Sequence, residues 1–159
     1  GTSVSVDSHR MLAARSPQAA REVRRDSELR RARTCYDHLA GVAGVSLLDE
    51  MLGRGWFREE KAAKILYRLT ASGERALLSL GVDVPGAAIQ RRPFAYGCLD
   101  WTERRYHLRG SLAASILTAL SSSGAIGRTA GTRTVAIERP ILDWLRGEPQ
   151  LRANQALVL

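Results

Sequence analysis

Apolar positions along the chain switch between two spacings, and the switch happens twice. Val42 to Met51 is nearly apolar at helical spacing, and Gly55 supplies a left-handed stop. Trp56-Phe57 then opens a strand, Glu59 to Lys64 forms a charged hairpin tip, and Ile65, Tyr67 and Leu69 give the returning strand one apolar face. Thr70 caps a further helix containing Glu74, Ala76, Leu77, Leu78 and Leu80, which ends at Gly81. The second passage follows the same plan. Ser111 to Ser121 is helical and stops at Gly124, Ala125-Ile126 opens a strand, Thr129-Ala130-Gly131 turns it, and Thr132 to Ile137 returns. Pro140 then starts a helix with Ile141, Leu142, Trp144 and Leu145.

The two passages are copies. His38-Leu39-Ala40-Gly41, Leu47, Leu48, Leu52 and Gly55-Trp56 match His107-Leu108-Arg109-Gly110, Ile116, Leu117, Ser121 and Gly124-Ala125 at a constant offset of 69. A helix, a two-stranded wing and a further helix form the core of a winged-helix unit. A lone hairpin is marginal in water, so each wing must bury itself against helices, and two copies can share one core. The predicted fold is α+β: two winged-helix-like repeats, each helix, β-hairpin wing and helix, preceded by a basic helix. Ser16-Pro17 is a good start for that helix, which runs through Arg33 with only Val23 and Leu29 as large apolar residues. The expected divisions are 1–34 for the polar N-terminus and basic helix, 35–81 for the first repeat, 82–97 for a linker and 98–159 for the second repeat with its tail. Cys98 to Thr102 reads as an extra strand, with Cys98, Asp100 and Thr102 on one face.

Charge changes the picture next. In 159 residues, 24 bases face 16 acids for a net +8, and every base except Lys61 and Lys64 is Arg. A basic balance favours polyanionic partners, although Arg-rich composition also follows coding bias. The excess is localised: residues 1–34 hold eight Arg against four acids, residues 35–80 are neutral, and residues 81–159 hold ten bases against six acids. Acids Glu22, Asp26 and Glu28 lie at helical pairing distance from the Arg residues of the first segment, so a solvated face is the expected reading there. The helices that would read bases, Val42 to Met51 and Ser111 to Ser121, offer almost no polar or basic side chains. They read as core or dimer-interface helices.

Longer motifs carry a family likeness. Arg31 to Gly41 (RARTCYDHLAG), Tyr67 to Gly73 (YRLTASG), Arg92-Pro93, Cys98 to Arg105 (CLDWTERR) and His107 to Gly110 (HLRG) resemble the C-terminal region of a branch of ArsR-type winged-helix transcriptional regulators, over roughly residues 29–147. The resemblance implies a regulatory role: the effector-sensing and dimerising part of a bacterial regulator, with an operator DNA bound through the intact regulator. Members of this branch usually carry a DNA-reading winged helix ahead of this region, and residues 1–30 are too short for one. The chain is therefore expected to be the C-terminal half of a longer regulator, the alternative being a diverged stand-alone protein. A homodimer is the expected assembly.

Candidate chemistry is limited. Cys35 and His38 are three apart on a predicted helix, Cys98 and Asp100 share one side of an extended segment, and Asp37 and His107 add a carboxylate and an imidazole. Cys35, His38, Cys98 and His107 are the ligand types of a zinc or thiophilic-metal site, and metal sensing is known among ArsR-type regulators. Against this, no compact Cys-x2-Cys or His-x3-His pair exists, and equivalent positions of the copies do not both carry Cys; the opposing reading makes the cysteines small buried residues and the histidines structural donors. A small organic effector is the other option, with Tyr36, Asp37, Asp100 and Trp101 lining a pocket at the seam of the repeats. Direct DNA binding is an alternative function, in which Arg128 and Arg133 of the second wing touch phosphates. No nucleophile elbow, phosphate-cradling loop or HExxH is present, so no enzyme is expected. Two cysteines are too few for a disulfide scaffold, and no apolar run reaches the ~18 residues of a membrane span, so a reduced cytoplasmic setting is expected.

Overall fold

The computed structural model describes residues 27–147. Residues 27–31 are helical, but the helix expected through Arg33 stops at 31 and Arg33 opens a strand instead; its part before 27 and the tail 148–159 lie outside the described residues. From there the chain forms β1 (Arg33–Cys35), β2 (His38–Ala40), α1 (Gly41–Gly53), β3 (Phe57–Lys61), β4 (Ile65–Leu69), α2 (Ala71–Ser79) and α3 (Val84–Ala88). It continues through β5 (Tyr96–Leu99), β6 (Tyr106–Arg109), α4 (Ser111–Ser122), β7 (Ile126–Arg128), β8 (Val135–Ile137) and α5 (Ile141–Leu145). All strand pairs are antiparallel, and the mixture of helices and antiparallel sheets is α+β.

Helix, hairpin, helix occurs twice, as α1–β3β4–α2 and α4–β7β8–α5. The local signals behave as expected at several boundaries. Thr70 caps α2 by accepting from the Gly73 amide at 3.1 Å, and Gly55, Gly81 and Gly124 all take positive φ. A short helix, α3, occupies the stretch read as a linker, with the Asp83 side chain accepting from the Gly86 amide.

Two readings are corrected. Cys35 to His38 is not the start of a helix but the tip of a tight hairpin, β1–β2, with Tyr36-Asp37 as its turn. Its strands are fixed by long-range pairing, which overrides local propensity: the Thr34 amide donates to the Arg133 carbonyl at 2.8 Å and the Val135 amide to the Ala32 carbonyl at 3.1 Å. The strand expected over Cys98 to Thr102 ends at Leu99, because the Asp100 carboxylate accepts from the amides of Thr102 and Glu103 and turns the chain there. Each copy therefore begins with a hairpin, β1–β2 or β5–β6.

Those hairpins are exchanged between the copies. Leu66 of β4 pairs with Tyr96 of β5, building the four-stranded order β3-β4-β5-β6, while Arg33 of β1 pairs with Thr134 just before β8. Each hairpin thus adds to the other copy's wing. The helices cross over as well: α1 packs on β6, and α4 packs on β2. One apolar core results, in which Leu48 and Met51 of α1 and Leu112, Ile116, Leu117 and Leu120 of α4 are buried together with Leu77 and Trp144. Full burial of such side chains contributes about 1.5–3 kcal/mol each. The apolar faces of both long helices are consumed inside the chain.

Candidate metal centre

Each hairpin carries one cysteine opposite one histidine. Cys35 is the cross-strand partner of His38, and Cys98 is the cross-strand partner of His107. Cross-strand partners project to the same face of a hairpin, so both pairs present thiol and imidazole together. The two hairpins face each other, and one donor atom from each of Cys35, His38, Cys98 and His107 lies within 4.8 Å of all the others. The histidines are fully buried and the cysteines half-buried. The constant offset hid the second cysteine: the copies align from His38 and His107 onward, whereas the turn before them is Tyr36-Asp37 in one and residues 100–105 in the other.

The imidazoles are held by a line of charges. His38 Nε2 lies 2.9 Å from His107 Nε2. Behind His107, Nδ1 is 3.0 Å from Asp100 Oδ2, and Asp100 Oδ1 accepts from Arg33 Nη2 at 3.0 Å. Behind His38, Nδ1 is 3.4 Å from Asp37 Oδ1, and Asp37 Oδ2 is 2.6 Å from Arg92 Nη1. The order is Arg33, Asp100, His107, His38, Asp37, Arg92. A carboxylate behind a ligating histidine fixes its tautomer and orients the ring toward the metal.

Asp100 is the fixed point of this line. Its carboxylate is wholly buried, and besides Arg33 and His107 it accepts from the Gly41 amide at 2.7 Å, the Thr102 amide at 3.0 Å and Thr102 Oγ1 at 2.6 Å. Burial alone raises the pKa of the carboxyl, but hydrogen bonds from Thr102, Gly41 and Arg33 outweigh it and hold Asp100 well below the ordinary carboxylate range. An ionised Asp100 requires the proton of His107 on Nδ1, which leaves the Nε2 lone pair facing His38. Burial, followed by the nearby His107 charge, lowers the pKa of His38 to about 4, and burial lowers His107 against the pull of Asp100. Both rings are neutral at ordinary pH, the form that ligates metals. Burial and then the Cys35 charge push the Cys98 thiol up, which favours its protonated form while no cation is bound.

The set fits zinc-like chemistry. Tetrahedral zinc, with Zn–S of about 2.3 Å and Zn–N of about 2.0–2.1 Å, has ligand edges of about 3.3–3.8 Å, so the donors need shifts on the order of 1 Å to close. Both hairpin loops carry backbone strain of the kind that concentrates at functional sites: Tyr36 and Arg104 take φ of 63° and 55°, the non-glycine residues at positive φ among those described.

Of the other expected site residues, Asp37 and Asp100 stand behind the two imidazoles, while Tyr36, Trp101, Arg128 and Arg133 lie outside the cluster of four ligands. Tyr36 is 81% exposed at the hairpin tip, and Asp37 points to Arg92. Trp101 is largely exposed over the Arg33 guanidinium, 4.5 Å from its ring centre, and borders a cavity with Leu29, Arg30 and Thr102. Asp100 is engaged as described. Arg128 is exposed at the end of β7, whereas Arg133, also exposed, donates from Nε to the Thr34 carbonyl at 3.1 Å. Sequence reasoning overlooked Arg33, Arg92, Thr102 and Gly41. Arg33 was grouped with a solvated ridge but is fully buried; its place two residues before Cys35 on a strand is the signal that would have found it.

Comparison with known proteins agrees with a regulatory context. A protein of Bacillus subtilis (strain 168) described as the uncharacterized HTH-type transcriptional regulator YdfF is 32% identical over 120 residues, covering 76% of this chain and 52% of that one. That relative is a helix-turn-helix transcriptional regulator. The chain spans about half the length of the curated relative it matches. No family model matches the chain, and no solved structure does. No helix of the described residues is long and apolar enough to cross a membrane.

Proposed function

We propose that this chain is the sensing region of a helix-turn-helix transcriptional regulator of the ArsR type, and that its effector is a thiophilic divalent cation of the zinc class held by Cys35, His38, Cys98 and His107. The observation that carries this reading is the meeting of the two Nε2 atoms at 2.9 Å between two half-buried thiols. In the tautomers that give each Nδ1–H to its own carboxylate, the two Nε2 lone pairs face one another, an arrangement that a cation held between them satisfies. Two thiols at the same spot make the cation a soft metal ion.

The repeats are read as winged-helix-like units turned to sensing. A winged helix that reads DNA lays a polar helix in the major groove, whereas α1 and α4 bury their apolar faces in the shared core. Base reading then belongs to another part of the intact regulator, whose operator binding and dimerisation follow the resemblance. Metal supplies coordination across the two hairpins, so filling the site clamps one copy onto the other and biases the molecule between two arrangements.

The test is metal binding by the purified 159-residue chain. Cobalt(II), a spectroscopic substitute for zinc, is expected to give tetrahedral ligand-field bands and thiolate charge-transfer absorption at one ion per chain. Zinc should displace it, and Cys35→Ser or Cys98→Ser should abolish the charge-transfer intensity or halve it. No absorption change on adding cobalt(II) to the reduced chain would sink the proposal.

A further inference from the structure

The loop that supports His107 also grips the end of the N-terminal helical segment. Arg33 reaches in two directions: Nη2 binds Asp100, and Nη1 donates to the Leu29 carbonyl at 3.1 Å and lies 3.2 Å from Thr102 Oγ1. Leu29 is in the last helical turn, so one of that helix's unpaired carbonyls is satisfied by the guanidinium that pairs with the carboxylate behind His107. A second link runs beside it, from Arg30 Nε to Glu103 Oε2 at 2.9 Å. A third contact is steric: Gly41, at φ +77°, lies so close to the helix end that a Cβ there would sit 2.5 Å from the Arg30 carbonyl oxygen. The Gly41 amide is itself bound by Asp100. Residues 100–103 therefore join two structures that are distant in sequence, a metal-facing imidazole and the helix end at 27–31.

Resting on the metal reading above, we propose that occupancy of the Cys35, His38, Cys98 and His107 site sets how firmly the helical end 27–31 is seated on the core, with Asp100 and Arg33 as the positioning residues that transmit it. Metal held by His107 fixes the ring against Asp100; Asp100 so fixed keeps Arg33 forked onto Leu29. Linkage makes the effect reciprocal, since whatever unseats the helix must weaken metal binding by the same factor. The branch through Asp37 ends instead on Arg92, ahead of β5, so the two halves of the line have different outputs.

Amide hydrogen exchange of the whole chain, with and without zinc ions, tests this. Peptides covering 28–34 are expected to slow tenfold or more on zinc addition, while those over 57–69 in the first wing change little. Arg33→Lys keeps the charge but loses the fork; it should still take up zinc and protect 98–107, yet lose the slowing at 28–34 and bind zinc more weakly by the factor lost. Should that variant fail to fold, Arg30→Gln, on the exposed end of its ion pair, should halve the slowing at least. Zinc uptake at one ion per chain with protection of 98–107 but none of 28–34 overturns the coupling. A chain that takes up no zinc overturns the metal reading itself, and this inference with it.

Discussion

His38 and His107 hold the same position in the two copies, and their Nε2 atoms meet at 2.9 Å. These repeat-related residues touch, so the candidate site lies on the seam between the copies. Each copy supplies one cysteine, one histidine and the carboxylate behind it. Neither copy holds enough ligands for a closed tetrahedral site, which ties metal binding to the association of the two halves. A filled site also stabilises the fold by mass action: at 100 times its dissociation constant, zinc should add about 2.7 kcal/mol to unfolding free energy. Chelator treatment followed by urea denaturation should remove that increment.

The two supporting carboxylates should behave differently when neutralised. Asp37→Asn and Asp100→Asn are each expected to weaken metal affinity about 10–100-fold, the usual effect of losing a group that orients a ligating histidine. Asp100→Asn should also destabilise the metal-free chain by about 3–5 kcal/mol, because it strands the buried Arg33 charge. Asp37 is part-exposed and pairs with a part-exposed Arg92, so Asp37→Asn should cost the metal-free chain only about 0–1 kcal/mol. Chelator competition measures the first effect and urea denaturation the second; equal stability losses would contradict the difference in burial.

Arg33→Met should destabilise the chain by about 3–5 kcal/mol, since it leaves the Asp100 carboxylate buried without its guanidinium. Combined with Asp100→Asn, the loss should be well short of the sum of the singles, because the second change removes the charge that the first exposed. Additive losses in a denaturation cycle would show that the pair is not coupled.

How far these features are legible from sequence depends on the range of the forces that make them. The helix-hairpin-helix plan could be read twice over, because spacing, Gly stops and the Thr70 cap are local. The four ligand types could be named, yet Cys35 and His38 were placed on a helix, since three-residue spacing fits a helix face and a tight hairpin equally. What decides the hairpin is pairing of Thr34 and Ala32 with Arg133 and Val135, some hundred residues away and invisible to local pattern. Buried Arg33 was missed for the same reason. An arginine among arginines and acids reads as solvated unless its partner, Asp100, is known to lie beside it.

Gly44 of α1 lies against Leu39 of the first hairpin and near His107 of the second. A Cβ there would collide with the Leu39 carbonyl and stand 3.4 Å from His107 Cβ. Gly44→Ala is therefore expected to cost about 1–3 kcal/mol as an overpacked contact, despite the better helix propensity of Ala. Because the strain falls on the Leu39 carbonyl, next to His38 in β2, metal affinity should drop as well. A gain in melting temperature with unchanged affinity would refute the contact.

Because α1 and α4 are packed into the core, the isolated chain should show no sequence preference in duplex binding, whatever weak attraction its net +8 produces. Arg128→Gln should lower the slope of log affinity against log salt by at most about 1, and equally for any sequence. Gel shifts with several duplexes at two salt concentrations decide this; a strong preference for one duplex would return base reading to this chain.

X-ray absorption at the zinc edge of the zinc-loaded chain tests the central claim most directly. The account predicts one ion per chain with two sulfur scatterers at about 2.3 Å and two imidazole nitrogens at about 2.0–2.1 Å. Cys35→Ser and Cys98→Ser should each remove one sulfur. A first shell of oxygen and nitrogen without sulfur, or a sulfur shell untouched by both substitutions, would contradict it.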